Sequence, residues 1–151
     1  MQTDAIAAAQ GSPLRPTSRA LVSLRLRNNP LGETGVREVG AALARAAPLI
    51  LHSLGLASIG ASDGSVAALV GVLAHGAANM PPAPGAIHIY RLDLSHNSLG
   101  AGAAAALSTL LRSPGAQLCE LTLGNNALGD AGVAALAMGG SQSLKQCHLV
   151  D

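Results

Sequence analysis

The sequence predicts an α/β solenoid, in which short parallel strands alternate with helices and the strand–helix unit repeats along one axis. One phrase occurs three times, as LRLRNNPLGETGVREV from Leu24, LDLSHNSLGAGAAAAL from Leu92 and LTLGNNALGDAGVAAL from Leu121. Within each copy the apolar residues recur first at every second position and then at every third or fourth. A strand followed by a helix cannot bury both apolar faces alone, so neighbouring units are expected to stack.

The strand half of each unit has the frame L-x-x-L-x-L-x-x-N-x-L-G. In the first unit Leu24 and Leu26 alternate as strand residues do, which places both on one face. The second unit departs from the frame, with Ile59 in the Asn place and Ala61 in the following Leu place. The frame predicts five units, which begin at Leu21, Leu51, Ile89, Leu118 and Leu144, with spacings of 30, 38, 29 and 26 residues.

The helix half follows the glycine of each turn. There the apolar residues recur at intervals of three and four, which is the pattern of a helix with one buried face. The fifth unit stops at Asp151, before such a segment, and is incomplete. The predicted buried residues are Val36, Val39 and Leu43 in the first helix, Val66, Leu69, Val70 and Leu73 in the second, and Ala103, Leu107, Leu110 and Leu111 in the third.

Asn29, Asn97 and Asn126 occupy the same place in their units and are predicted to be structural. The chain leaves the strand there, and a buried side-chain amide can satisfy backbone groups that no strand ladder reaches. The three residues are therefore expected to form an internal column. Ile59 breaks the column, because its side chain offers no hydrogen bond.

Two regions lie outside the regular units. Residues 1–20 are predicted to be an N-terminal extension or a partial cap, and residues 21–151 the repeat domain. The long second spacing includes an insertion at residues 75–86, which contains three prolines. Proline cannot continue a helix, so this segment is expected to bulge out as an irregular loop.

Residues 21–151, which are 131 of the 151 residues, resemble the ribonuclease-inhibitor type of leucine-rich repeat protein. The resemblance rests on the three nearly complete motifs quoted above. It implies a curved solenoid with parallel strands on the concave face and helices on the convex face. It also implies a non-enzymatic, intracellular scaffold that binds a protein partner through the concave face. Two alternatives stay open, a regulator of a small GTPase and a purely structural segment of a longer repeat array.

The composition limits the classes of partner. Nine basic and eight acidic residues give a net charge of +1 without a long run of either sign, so neither nucleic acid nor a membrane surface is an expected partner. The start of the chain does not have the pattern of a secretory signal. Two cysteines suit a reducing compartment, and a cytoplasmic location is predicted.

The candidate partner-binding residues are those between the buried leucines and at the strand ends. Arg25 and Arg27 point the same way and are suited to holding an acidic loop of a partner, although a solvated face is an equally good interpretation. Arg91 is expected to pair with Glu120 on the next strand, with Asp93 as a competitor. The full set is Arg25, Arg27, Tyr90, Arg91, Asp93, His96, Glu120, Asn125 and His148.

The sequence predicts no catalytic residue, metal site or cofactor. Asp93, Ser95 and His96 are close in the chain, but neighbours on a strand point to opposite sides and no G-x-S-x-G elbow is present. Cys119 and Cys147 are expected roughly 8 Å apart between Cα atoms, beyond the usual disulfide reach of about 7 Å. A zinc site would lack its fourth ligand.

The two outer strands, at residues 21–26 and 144–149, are predicted to have unpaired edges because no capping unit is recognisable. Unpaired backbone groups at a sheet edge favour pairing with another chain. Self-association through these ends is therefore a further expectation.

Overall fold

A computed structural model describes residues 21–47, 49–77, 87–113, 117–140 and 146–148, without the side chains of 75–77 and 146–148. Strands and helices alternate strictly along this part of the chain, as predicted. No helix in it is long and apolar enough to cross a membrane. The elements are β1 (Ser23–Arg25), α1 (Gly32–Ala46), β2 (Leu49–Gly55), α2 (Asp63–Ala77), β3 (Ile87–Asp93), α3 (Ala101–Arg112), β4 (Glu120–Thr122), α4 (Gly129–Met138) and β5 (Gln146–His148).

The strands form one parallel sheet in the order β1-β2-β3-β4-β5. This confirms the predicted α/β architecture of strands that run the same way and are joined by helices. The register is the one predicted by the repeated frame, because equivalent leucines lie opposite one another on neighbouring strands. One such row consists of Leu24, Leu54, Leu92, Leu121 and Cys147.

The hydrogen bonds between units continue beyond the strands. The N–H of Leu26 donates to the carbonyl oxygen of Gly55 at 2.8 Å, and the N–H of Asn28 donates to that of Ala57 at 2.9 Å. The later pairs of neighbouring units have equivalent hydrogen bonds. In each of the first four units the chain then turns through a residue in the left-handed region, at Asn28, Ser58, His96 and Asn125, with φ between 52° and 61°.

The core lies between the sheet and the helices and is built from leucine, isoleucine, valine and alanine. Small residues bring neighbouring helices close together. A Cβ added at Gly40 of α1 would lie 3.6 Å from Leu69 of α2. The approach of α4 to α3 is closer, since a Cβ at Gly139 would lie 2.7 Å from the Cα of Ser108.

Asn97 links the third unit to the second. It is partly buried, and its Oδ1 accepts hydrogen bonds from the N–H groups of Ile59 and Ala61 at 3.2 and 3.0 Å. The same loop that lacks an asparagine of its own is therefore held by the asparagine of the following unit. The Nδ2 of Asn97 donates to the carbonyl oxygens of Leu56, Leu94 and Ser95 at 2.9, 2.9 and 3.1 Å.

Asn126 repeats this arrangement one unit later. Its Oδ1 accepts from the N–H groups of Asn97 and Leu99 at 3.1 and 3.2 Å. Its Nδ2 donates to the carbonyl oxygens of Leu94 and Leu123 at 3.0 and 2.8 Å, and to that of Gly124 at 3.4 Å. The two asparagines thus join three consecutive units.

Asn29 does not belong to the internal column, contrary to the expectation. Its side chain is exposed and donates only within its own unit, to the carbonyl oxygens of Leu26 and Arg27 at 3.0 and 3.3 Å. Asn97 and Asn126 each bond to the preceding unit, whereas the residues before position 21 are not among those described. At Ile59, where the column is interrupted, backbone bonding joins the loops: Gly32 N–H donates to the Ile59 carbonyl oxygen at 2.9 Å.

The predicted insertion begins later than expected. Residues 75–77 continue α2, which ends at Ala77. The remaining residues of the predicted loop, 78–86, and the predicted extension at 1–20 lie outside the described residues. On the far side of the insertion, β3 pairs with β2 from Leu49 and Ile87 onward, so both strands are longer than β1 and β4.

Replacing Asn97 by alanine should lower the free energy of unfolding by about 2–4 kcal/mol, because it removes bonds to partly buried backbone groups of two units. Asn29→Ala is the matched control, with the same side chain at the same place of the repeat but only local, exposed bonds. Its expected cost is below about 1 kcal/mol. Urea unfolding of both variants checks this, and equal losses would contradict it.

Gly139→Ala should destabilise the chain by about 1–3 kcal/mol, since the added methyl group meets the backbone of Ser108 and α3 must shift. The φ of Gly139 is −78°, so backbone strain does not contribute. Gly71→Ala in α2 is the control, because a Cβ there meets nothing within 4 Å. It should stabilise by about 0.5–1 kcal/mol through helix propensity. Thermal unfolding of the pair should shift in opposite directions.

Candidate partner-binding surface

The face of the sheet that points away from the helices carries the polar residues between the buried leucines. We call it the open sheet face. Its side chains form two rows that cross the sheet in register. One row is Ser23, Ser53, Arg91 and Glu120, and the other is Arg25, Gly55, Asp93 and Thr122.

The β1 end of the open sheet face is cationic. Arg25 is exposed, and its Cγ lies 3.7 Å from the position that a Cβ at Gly55 would take. The glycine thus leaves space for the aliphatic part of Arg25 over β2. Arg27 is exposed in the turn after β1. Neither arginine forms an ion pair with any residue in the described ranges.

The residues equivalent to Arg27 in the following units are buried. Ala57, Ser95 and Gly124 stand at the same place in their units and are buried. The sequence placed all of them on the exposed face, but small side chains there are covered by their neighbours. Arg27 is consequently the one member of this row, among the first four units, that reaches solvent as a charged group.

The β3–β4 part of the open sheet face holds opposite charges. The Nε of Arg91 lies 3.1 Å from an Oε of Glu120, with the two side chains 64% and 32% exposed. An ion pair so accessible to water contributes about 0–1 kcal/mol. Arg91 is thus already neutralised locally, in contrast to Arg25 and Arg27.

Asp93 does not compete for Arg91. Its Oδ1 accepts hydrogen bonds from the backbone N–H of Ser95 at 3.0 Å and from the Ser95 hydroxyl at 2.6 Å. The carboxylate therefore supports the turn that follows β3. Its charge still contributes to the anionic character of this part of the face.

The geometry of Ser95, Asp93 and His96 differs from that of a hydrolytic triad. The serine hydroxyl donates directly to the carboxylate, whereas a triad has a histidine between the two groups. His96 instead lies beside Asn125, with its Nε2 3.2 Å from the Asn125 Nδ2. Within the part of the chain that the structure describes, no group of three or more His, Cys, Asp or Glu residues could hold a metal ion.

Tyr90 lies on β3 beside a residue that the sequence did not single out. Its ring centroid is 5.3 Å from that of His52 on β2, with the planes tilted by 53°. His52 and Tyr90 stand at the same place in their units, so the repeated frame could have identified this pair. The backbone of His148 pairs opposite Thr122, and its side chain, like that of Cys147, lies outside the described residues.

The predicted residues therefore separate into groups. Arg25 and Arg27 are together at the β1 edge, and Arg91, Asp93 and Glu120 are together on β3 and β4. His96 and Asn125 form a pair where these strands end. No contact joins the arginines at the β1 edge to the other groups, because β2 contributes only Ser53 and Gly55 between them.

Comparison with known proteins agrees with this geometry. A leucine-rich repeat family model matches residues 86–108 and 118–137. These segments cover β3 with most of α3, and β4 with nearly all of α4. No curated protein sequence matches the chain. The two matches and the strand–helix units in register identify these segments as leucine-rich repeats.

Proposed function

We propose that this chain is a non-enzymatic scaffold of the ribonuclease-inhibitor type that binds a protein partner through its open sheet face, which would be the concave side. Leucine-rich repeats generally mediate protein–protein interaction. One observation supports the proposed surface most: Arg25 and Arg27 are exposed at one edge without a carboxylate partner among the described residues.

The charge distribution suggests how the partner lies on the face. The arginines at β1 suit carboxylates, since a guanidinium donates two parallel hydrogen bonds to one carboxylate. Asp93 and Glu120 at the other end suit a basic or neutral polar group. A partner segment that crosses the strands would thus present its acidic residues to β1.

Arg25 has a further property of a binding residue. Gly55 leaves space for the aliphatic part of Arg25 over β2, so no side chain of Gly55 blocks the approach of a partner there. Arginine is also enriched among the residues that dominate interface energies. Tyr90, His96, Asn125 and His148 would surround this centre as additional contacts.

The double variant Arg25→Glu, Arg27→Glu should reduce recovery of the partner from cell extract by at least about tenfold in a quantitative pull-down. Reversing two charges replaces attraction by repulsion, and a tenfold change corresponds to about 1.4 kcal/mol. The matched control is Arg45→Glu, Arg112→Glu, which makes the same change of net charge on exposed residues at the ends of α1 and α3.

The comparison is informative only for folded proteins, so both double variants must unfold cooperatively. Proteins lost with the first variant and kept with the control are ligands of the open sheet face. Equal recovery by the native chain and the first variant would refute the role assigned to Arg25 and Arg27.

The two alternative functions stay predictions. No contact within the described residues favours a regulator of a small GTPase, and acceleration of nucleotide hydrolysis by substoichiometric amounts of the chain is the result that would support it. A structural segment of a longer array would fold poorly or self-associate when isolated. A stable monomer in light scattering would contradict that alternative.

A further inference from the structure

The helices of this array pack in a row, and each one has a side that faces the helix of the following unit. We call it the forward side. Val36 of α1, Val66 of α2 and Ala104 of α3 stand at the same place in their units and are each 0% exposed. Val133 of α4 stands at this place too but is 45% exposed. The apolar surface that α1, α2 and α3 bury is therefore open to solvent on α4.

A second row of the forward side shows the same difference. Gly40, Val70 and Ser108 are buried at equivalent places of α1, α2 and α3. The equivalent residue of α4, Ala137, is exposed. Two independent rows thus agree that α4 has the surface of an internal helix, with no helix of the described residues against it.

An acidic side chain completes the contact between α2 and α3. Asp63, the first residue of α2, accepts hydrogen bonds through Oδ1 from Gly100 N–H at 2.7 Å and through Oδ2 from Gly102 N–H at 3.1 Å. These amides begin α3, whose N-cap residue Gly100 has no side chain to satisfy them. The carboxylate of one unit therefore caps the helix of the next and complements its dipole.

Glu33 in the first turn of α1 also forms a hydrogen bond to the following unit. Its Oε2 accepts a hydrogen bond from the hydroxyl of Ser62, directly before α2, at 3.3 Å. Asp130 is the equivalent acid of α4 and the sole charged residue of Gly129–Met138. It is exposed and has no hydrogen bond to any residue within the described ranges.

We propose that the forward side of α4, formed by Asp130, Val133 and Ala137, binds an α-helix of a partner protein that lies alongside α4 with its N-terminal amides on the Asp130 carboxylate. The interface continues the geometry of the α2–α3 contact, in which Asp63 bonds to the first amides of the following helix. This site is separate from the open sheet face and does not depend on its function.

The internal contacts also define the chemistry of the partner helix. A Cβ at Gly102 would lie 2.6 Å from the Oδ2 of Asp63, so a capped helix needs glycine there. Alanine occupies the partly buried place of Ala106 and Ala135 farther along the same side. The partner helix is therefore expected to begin with small residues and to be apolar along the side that meets Val133.

A second copy of this chain fits the surface less well. Its exposed first helix, α1, has Glu38 at the place where α3 and α4 have Ala106 and Ala135. Docking α1 there would bring a carboxylate into a partly buried contact with no positive group from Asp130, Val133 or Ala137 to meet it. Charge thus favours a different protein over head-to-tail association of this one.

The proposal is tested with a synthetic helix as the probe. The peptide has the sequence of residues 99–112, LGAGAAAALSTLLR, with an acetylated N-terminus and a hydrocarbon staple between positions 105 and 109, which are exposed in α3. Titrated into the isotopically labelled full chain, it should shift the amide resonances of Asp130, Val133 and Ala137. The staple keeps the peptide helical, so an absence of binding would overturn the proposal.

A matched peptide separates specific docking from general hydrophobic contact. The Gly102→Ala peptide has the higher helix propensity, so a nonspecific surface would bind it at least as tightly. If the peptide docks as α3 does, the alanine peptide should bind several-fold more weakly, because its methyl group displaces the capping carboxylate. Equal or tighter binding of the alanine peptide would refute the proposed geometry.

Variants of the chain test which residues of α4 contact the peptide. Asp130→Asn should weaken peptide binding about threefold to tenfold, and Val133→Glu should abolish it. Ala67→Glu, on an exposed position of α2, is the control for the added charge and should leave binding unchanged. Arg25→Glu, Arg27→Glu should also bind the peptide normally, which keeps this result distinct from that for the open sheet face. Self-association of the native chain that Val133→Glu abolishes would show that a second copy is the occupant instead.

Discussion

The turns that leave the sheet contain backbone groups that no strand can satisfy, and the rest of the structure depends on how they are bonded. Asn97 and Asn126 supply an acceptor and a donor to the loop of the preceding unit. Since a buried amide or carbonyl without a partner costs about 1–3 kcal/mol, these two side chains set the positions of the second, third and fourth units relative to one another. The parallel register of the strands and the row of helices follow from that position.

The interruption at Ile59 shows how the repeat tolerates a missing asparagine. The side chain of Ile59 is buried in the core, and its carbonyl oxygen accepts from Gly32. The first loop is therefore joined to the second by backbone bonding where the later loops also have a side chain. The contact between the first two units has fewer side-chain hydrogen bonds than the contacts between the second and third and between the third and fourth units.

A core without Phe or Trp has a direct consequence for the helices. Alanine, glycine and serine at the helix contacts allow approaches as close as that of Gly139 to Ser108. At such distances a short acidic side chain can reach the first amides of the neighbouring helix, as Asp63 does. Close packing of the helices therefore makes capping between units possible. The same arrangement supports the proposal that a further helix packs on the uncovered side of α4.

Periodicity in the sequence by itself determined the order of strands and helices, the parallel register and the apolar side of the first three helices. Those features follow from local spacing, which repeats from unit to unit. The predicted candidate site was correct in one contact between neighbouring strands, the pair of Arg91 and Glu120, because register alone brings them together.

The tertiary structure determined the burial and the bonding partners of residues that contact neighbouring units. Asn29 and Asn97 have the same place in the frame, yet Asn29 is exposed and bonds within its own unit, whereas Asn97 joins two units. Val133 has the place of Val66 and differs only in lacking a helix against it. Asp93 bonds to Ser95 rather than to Arg91, because the turn brings the hydroxyl and the amide to one carboxylate oxygen. A repeated motif specifies equivalent positions, but burial and partners come from the units on either side, and these differ at the two ends of the array.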